Sequence, residues 1–252
     1  MNLHNQHAVV TGGATGIGLA ITKALCAAGA KVTIMGRNKE RLDEVAQTSE
    51  LIHPIQVDVS DTASVEQAFN EASERCPISI LVNNAGAAET SPFHKITIEQ
   101  WQKMLAVNLT GTFLTTQAAL KDIKSAEYGR IINIASTSGL KGYAYTSAYT
   151  AAKHGVIGLT RSLAHELSAT NVTVNAICPG FTNTAIVDNA IENITQKTDR
   201  NAEQALRELV VHNPQKRLIE PEEIAETVLW LCNPKSHSIT GQSITIAGGE
   251  LM

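Results

Sequence analysis

The sequence predicts an α/β fold, a single doubly wound domain with a seven-stranded parallel sheet and helices on both faces, and three observations carry that expectation. Short apolar runs rich in β-branched residues alternate with longer stretches of helical periodicity from the first residues almost to the last, the signature of βαβ units. The first such run passes directly into a glycine-rich turn that opens a helix. Finally, 252 residues at 43% hydrophobic and 17% charged form a core-building composition, and no linker, repeat or low-complexity tract divides them.

Taken in order, strands are expected at His7–Thr11, Lys31–Met35, Ile52–Val57, Ile78–Val82, Arg130–Ile134, Val172–Ala176 and Ser243–Ile246, with helices between them. The first helix runs from Gly16 toward Gly29 with apolar residues at 17, 20, 21, 24 and 25, and the glycine stops it. Asn38 and Asp61 have the side chains of N-caps for the helices after the second and third strands. The pattern breaks only at about 181–215, a polar stretch of helix-like pieces with no strand between them. An insertion of that kind in a compact domain reads as a substrate lid.

Charge and cysteine content narrow the partners. A net charge of −4 gives no basic footprint for nucleic acid or an anionic membrane, so a small-molecule partner is expected. Cysteines 26, 76, 178 and 232 include no C-x-x-C pair, which argues against a disulfide framework or a cysteine zinc site. The first residues lack a secretory pattern and no apolar run is long enough to span a bilayer, so a cytoplasmic protein is expected. His165-Glu166 begins a zinc-protease pattern, but position 169 is alanine, so no metal is expected. Ser136 lacks the G-x-S-x-G setting of a hydrolase nucleophile.

The turn Gly12-Gly13-Ala14-Thr15-Gly16-Ile17-Gly18 has the chemistry of a pyrophosphate cradle. Glycines let backbone N–H groups approach the phosphates at the positive end of the helix. The same glycines alone would also suit a plain tight connection. The second strand ends in Gly36-Arg37-Asn38, where a dinucleotide site for NAD would carry an acid. Arg37 instead offers donors to a 2′-phosphate, favouring NADP with NAD possible, although it also fits a solvated strand end. Asp58 and Val59 follow the third strand, positioned for the adenine edge or for a helix cap.

Tyr149 and Lys153 stand four residues apart on one face of a helix, and Ser136 lies thirteen residues upstream at the end of the fifth strand. With Thr11-Gly-Gly-Ala-Thr-Gly-Ile-Gly18, Asn83-Asn-Ala-Gly86, Tyr149-x-x-x-Lys153 and Pro179-Gly180, the chain resembles, over its whole length, the single-domain branch of the short-chain dehydrogenases/reductases. The resemblance implies a Rossmann-type fold, a homotetramer, and a catalytic set of Asn108, Ser136, Tyr149 and Lys153. It also implies cofactor contacts from Gly12, Thr15, Gly16, Ile17, Gly18, Arg37, Asp58, Val59, Asn84, Gly86, Tyr149, Lys153, Pro179, Gly180, Thr182 and Thr184. Asn83 and Asn84 are expected to help order the sheet, and Thr182 and Thr184 could equally cap a helix.

The implied reaction interconverts a ketone and a secondary alcohol. Tyr149 exchanges the proton, and Ser136 donates to the substrate oxygen. Bringing a phenol from about 10 to about 7 requires ~4 kcal/mol, which a lysine charge ~4 Å away supplies at an effective dielectric near 20. Lys153 is therefore expected to tune Tyr149. By resemblance it also binds the nicotinamide ribose, while Asn108 holds a water that links it to solvent. Enoyl reductases of related fold resemble a wider Tyr-to-Lys spacing, so carbonyl reduction is favoured. A sensor that binds NADP without turnover is the alternative from another class, opposed by the complete set of four.

Substrate choice falls to the lid and to the segment holding Lys141, Tyr143 and Tyr145, which suits either a pocket wall or a solvated face. From Thr182 to Arg217 the acids 188, 192, 199, 203 and 208 balance the bases 197, 200, 207, 216 and 217. Lys197, Arg200 and Arg207 could meet the phosphates of a coenzyme A or carrier-protein arm. The overall look resembles 3-oxoacyl-thioester reductases and 3-hydroxyacyl dehydrogenases, and a sugar, steroid or small aromatic alcohol stays open beside that reading.

Overall fold

The computed structural model describes residues 2–251, apart from the side chain of Lys197. Seven parallel strands form one sheet: β1 (His7–Thr11), β2 (Lys31–Gly36), β3 (Ile52–Gln56), β4 (Ile80–Asn83), β5 (Gly129–Ile134), β6 (Val172–Pro179) and β7 (Ser243–Ile246), in the order β3-β2-β1-β4-β5-β6-β7. The side chains alternate between two cores because a strand has a two-residue period. Ala8, Val10, Val32, Ile34, Ile80, Val82, Ile132 and Ile134 enter one, whereas Val9, Met35, Leu81 and Ile131 enter the other.

Helices cover both faces. The first layer is α1 (Gly16–Ala27), α2 (Lys39–Ala46) and, from the far end of the chain, α9 (Pro221–Cys232), whose Ile224, Val228 and Leu231 join the same core as Ile21 and Leu25. The second is α3 (Thr62–Arg75), α4 (Ile98–Leu105), α5 (Gly111–Ser125) and α6 (Ser147–Glu166). As expected, Asn38 and Asp61 cap α2 and α3, accepting from Arg41 N and Ser64 N. Gly29 ends the first helix with φ +92°, and a Cβ there would lie 2.4 Å from the His4 ring.

Five strands differ in their bounds from those expected, the second and fifth by one residue each. The sixth strand continues to Pro179, because Ala176–Pro179 supplies the register for β7, and the third stops at Gln56. The fourth begins at Ile80 after Pro77, with Ser79 still tied to the His7 carbonyl. The polar stretch after β6 folds as α7 (Ala185–Lys197) and α8 (Ala202–Leu209), which pack on each other. Among the described residues, no helix is long and apolar enough to cross a membrane.

A buried polar network fixes the centre of the sheet. Asn83 Nδ2 donates to Thr116 Oγ1 and Asn133 Oδ1, both at 2.8 Å, and Asn133 Nδ2 donates to Thr160 Oγ1. Asn83 thus orders the sheet, as expected. Arg130, fully buried, covers the C-terminal end of α9 by donating to the Leu231 and Asn233 carbonyls.

Candidate active site

The expected site residues fall at the carboxyl ends of successive strands: the glycine turn after β1, Arg37 after β2, Asp58 and Val59 after β3, Asn84 and Gly86 after β4, Ser136 after β5, and Pro179 to Thr184 at and after β6. Strand order reverses between β1 and β4, so the crevice of this open sheet lies where these segments meet.

The glycine turn is built to hold a phosphate-bearing ligand. Gly12 and Gly16 have φ of +66° and +49°, and a Cβ on Gly18 would sit 2.1 Å from the Gly12 carbonyl oxygen. The Thr15 side chain leaves the first-turn N–H groups of α1 uncapped, and no acid stands in that turn. The chain's own groups therefore neither fill nor neutralise the helix's positive end, and a nucleotide pyrophosphate fits there. Asn84 holds the turn from behind, its Nδ2 donating to the Thr11 and Gly12 carbonyls and its backbone N–H to Thr11 Oγ1. Thr184 faces the turn across the crevice, since a Cβ on Gly16 would meet its Cγ2 at 3.1 Å. It occupies the N-cap position of α7 without a side-chain capping bond, whereas Thr182 Oγ1 donates to the Gly180 carbonyl. Ile17 packs on the core.

At the outer end, Arg37 is exposed and its charge favours the ionised form of Asp58. Asp58 does not cap the helix. Its carboxylate accepts from Ser60 N and Oγ at 2.9 and 2.6 Å, which holds its pKa below the ordinary value. Val59 packs its side chain into the core, and both its Cγ2 and its carbonyl lie against Gly111.

At the inner end, a Cβ placed on Gly86 would meet Asn108 Oδ1 at 2.9 Å and Lys153 Nζ at 3.7 Å, so these three residues converge. Asn108 sits in a π-turn, Ala106–Thr110, that joins α4 to α5 as one helix. It is fully buried, and its amide forms a clamp: Nδ2 donates to the Ala87 and Met104 carbonyls and Oδ1 accepts from Ala87 N. Both amide protons are committed to the protein.

Ser136 caps a short turn, Thr137–Gly139, its Oγ accepting from Ser138 N at 3.1 Å. Its own proton is thereby left to donate toward the crevice. Tyr149 and Lys153 share one face of α6, with Nζ 5.7 Å from the phenol ring centre and donating to the Ile134 carbonyl at 2.8 Å.

The electrostatics correct the expected tuning. Burial pushes the Tyr149 phenol up, opposed only by the Ser136 hydroxyl. Lys153, itself buried, is pushed down to about 8 despite the nearby Cys178 sulfur, so the same desolvation that raises the phenol weakens the charge meant to lower it. Lys153 is still an ammonium at neutral pH.

In the α7–α8 segment, Arg200 pairs with Glu208 and Arg207 with Glu203, at 3.2 and 2.5 Å on the surface, where such pairs hold little. The side chain of Lys197 lies outside the described residues. Tyr143 and Lys141 meet Glu250, a residue the sequence does not single out because it lies 107 positions from Tyr143 in no recognisable motif. Among the described residues no cluster of histidine, cysteine and carboxylate side chains could hold a metal ion.

Comparison with known proteins agrees with this geometry. Residues 6–195 match the family model described as short chain dehydrogenase. The D-beta-hydroxybutyrate dehydrogenase of Cupriavidus necator is 38% identical over 98% of both chains. The 3-oxoacyl-[acyl-carrier-protein] reductase of Aquifex aeolicus is 37% identical over 99% of this chain and 98% of its own. Among solved structures, a variant of actinorhodin polyketide ketoreductase crystallised with NADPH superposes with a TM-score of 0.93 at 33% identity, covering 99% of each chain.

Proposed function

Because the chain belongs to the short-chain dehydrogenase family, an oxidoreductase family acting between hydroxyl and keto groups, we propose that it reduces the 3-keto group of an acyl thioester with NADPH. The observation that carries the reading is the convergence of Ser136, Tyr149 and Lys153 beside a glycine turn whose helix end is uncapped.

Gly12, Thr15, Gly16, Ile17 and Gly18 hold the pyrophosphate through backbone N–H groups, with Thr184 facing them. Arg37 takes the 2′-phosphate, Asp58 and the Val59 backbone flank the adenine, and Asn84, Gly86, Pro179, Gly180 and Thr182 frame the inner half. When bound, the reduced nicotinamide supplies the hydride. The chain supplies the proton. Ser136 donates to the substrate oxygen and Tyr149 gives up its phenolic proton to that oxygen as negative charge develops there. A phenol held up by burial is suited to remain protonated until that moment. Lys153 holds the ribose and stabilises the phenolate that is left, and Asn108 fixes the Ala87 segment opposite it.

Support for the thioester comes from the relatives, which divide between a free hydroxy acid and 3-oxoacyl groups on a carrier. NADPH in the superposed ketoreductase and Arg37 here support the phosphorylated cofactor. The α7–α8 hairpin serves as the lid over the substrate, and the enzyme acts as a homotetramer, an expectation that rests on family membership.

The test follows nicotinamide absorbance with acetoacetyl-CoA and related 3-oxoacyl thioesters, simple ketones and sugars, using NADPH and NADH in turn. Thioester reduction with NADPH preferred is expected. Replacing Tyr149 with Phe is expected to abolish turnover and leave the NADPH dissociation constant unchanged. Wild-type turnover by that variant sinks the proton-transfer assignment, and a preference for NADH sinks the role of Arg37.

A further inference from the structure

Residues 140–146 connect the turn after Ser136 to the helix of Tyr149, and Tyr143 ties this connecting wall to Thr137 beside Ser136. This wall rests on a carboxylate the mechanism does not use. The Glu250 side chain, 3% exposed, follows β7 and reaches under the wall. Its Oε1 accepts from the Tyr143 hydroxyl at 2.5 Å and pairs with Lys141 Nζ at 3.1 Å. Its Oε2 lies 3.4 Å from the point where a Cβ on Gly180 would stand. The Tyr143 oxygen is also 2.8 Å from Thr137 Oγ1, beside Ser136. A phenol has one proton, so it donates to the carboxylate and accepts from Thr137. Its ring meets Phe181, at the root of the lid, edge-on at 6.5 Å.

Catalytic turn, lid root and the segment after β7 thus meet on Tyr143, and the charge beneath them is balanced by one cation. Lys141 is 34% exposed, next to Gly142, around whose Cβ position there is open space to 4 Å. Its ammonium is therefore part-exposed, with a buried counter-charge directly behind it.

We propose that the Lys141–Glu250 pair is a specificity element that keeps this wall electrically neutral, so that a free carboxylate on a 3-keto compound gains no charge attraction there over an uncharged acyl group. The inference rests on the proposed thioester reading and refines it. An unpaired lysine at that position would attract a carboxylate. With Glu250 behind it, the approaching anion meets a dipole whose two ends largely cancel.

Acetoacetate and methyl acetoacetate test this directly, because they carry the same ketone and differ in charge. Their dissociation constants are measured by calorimetry on enzyme saturated with NADP+, without turnover. Glu250→Gln is expected to shift the affinity ratio toward acetoacetate by ~10-fold, the Coulomb gain of one unpaired charge at the pocket mouth after screening. Lys141→Gln shifts the ratio the other way, and the double variant restores the wild-type ratio. A folded Glu250→Gln enzyme with an unchanged ratio overturns the proposal, even if both affinities fall together, since that is the mark of a purely structural residue. Should Glu250→Gln fail to fold, Lys141→Gln decides by the same ratio. A wild-type enzyme that reduces no 3-oxoacyl thioester counts against the activity reading alone, because the binding ratio is still read.

Discussion

At the scale of single residues, the site depends on burying groups whose charged forms burial opposes. Lys153 shows the cost. Its pKa, pushed down to about 8 from 10.5, means that between those values the unfolded chain binds more protons than the native one, so this residue's contribution to stability rises with pH across that window. Below it both states carry the proton, and burying the ammonium costs about 3 kcal/mol relative to the neutral amine. Other groups titrate in the same range, so the measurement is a difference. In cofactor-free protein, the unfolding free energy of wild type minus that of Lys153→Met should grow by about 3 kcal/mol from pH 8 to 10.5. A flat difference would show that burial does not lower the Lys153 pKa. The pairing of Tyr149 with Lys153 was legible from their spacing, because helix geometry is local. Their electrostatic state was not, since it depends on Ile134, Cys178 and the Ser136 hydroxyl, which other elements bring in.

Among the elements, the α4–α5 helix shows how a local irregularity positions a distant loop. A regular helix would carry Asn108 on a different azimuth. The π-turn directs its amide at Ala87, and all three polar positions that it satisfies there and at Met104 are backbone groups. Asn108→Ala leaves the half-buried Ala87 N–H and C=O without those partners. A loss of ~1–2 kcal/mol in urea unfolding is expected from removing them, with turnover falling because Gly86 and Lys153 share that corner. Stability equal to wild type would mean that water replaces the amide without cost and that the clamp is dispensable. Strand positions, helix caps and the glycine turn were readable in the sequence because each has a short-range signature: β-branched runs, Asn38 and Asp61 at helix starts, Gly29 at a helix end. The π-turn has none, and the continuation of β6 to Pro179 depends on pairing with β7, which is more than sixty residues away in sequence.

On the scale of the whole molecule, the residues proposed to hold the nucleotide and those proposed to meet the substrate are divided along the chain. The glycine turn, Arg37, Asp58, Asn84 and Gly86 all lie in the first half, while Ser136, Tyr149, Lys153 and the α7–α8 hairpin complete the site from the second. The hairpin is tethered lightly. Val187, Ala205 and Val210 are buried, but Ile186 and Val211 are about half-exposed, so the hairpin proposed as the lid leaves apolar surface uncovered among the described residues. Its ion pairs lie in solvent, where such pairs hold little. Segments with few buried contacts open locally at small free-energy cost, and a ligand that covers them suppresses the opening by mass action. Arg200 stands in the exposed, non-helical link between α7 and α8 and should be the first tryptic site, giving fragments that end and begin at residues 200 and 201 by mass spectrometry. NADP+ with acetoacetyl-CoA should slow that cut by ~10-fold, and NADP+ alone by less, because closure needs something beneath the exposed Ile186 and Val211 side chains. First cleavage in the sheet-covering helices, or equal protection by NADP+ alone, would mean that α7–α8 is fixed structure and that substrate selection rests on the 140–146 wall instead.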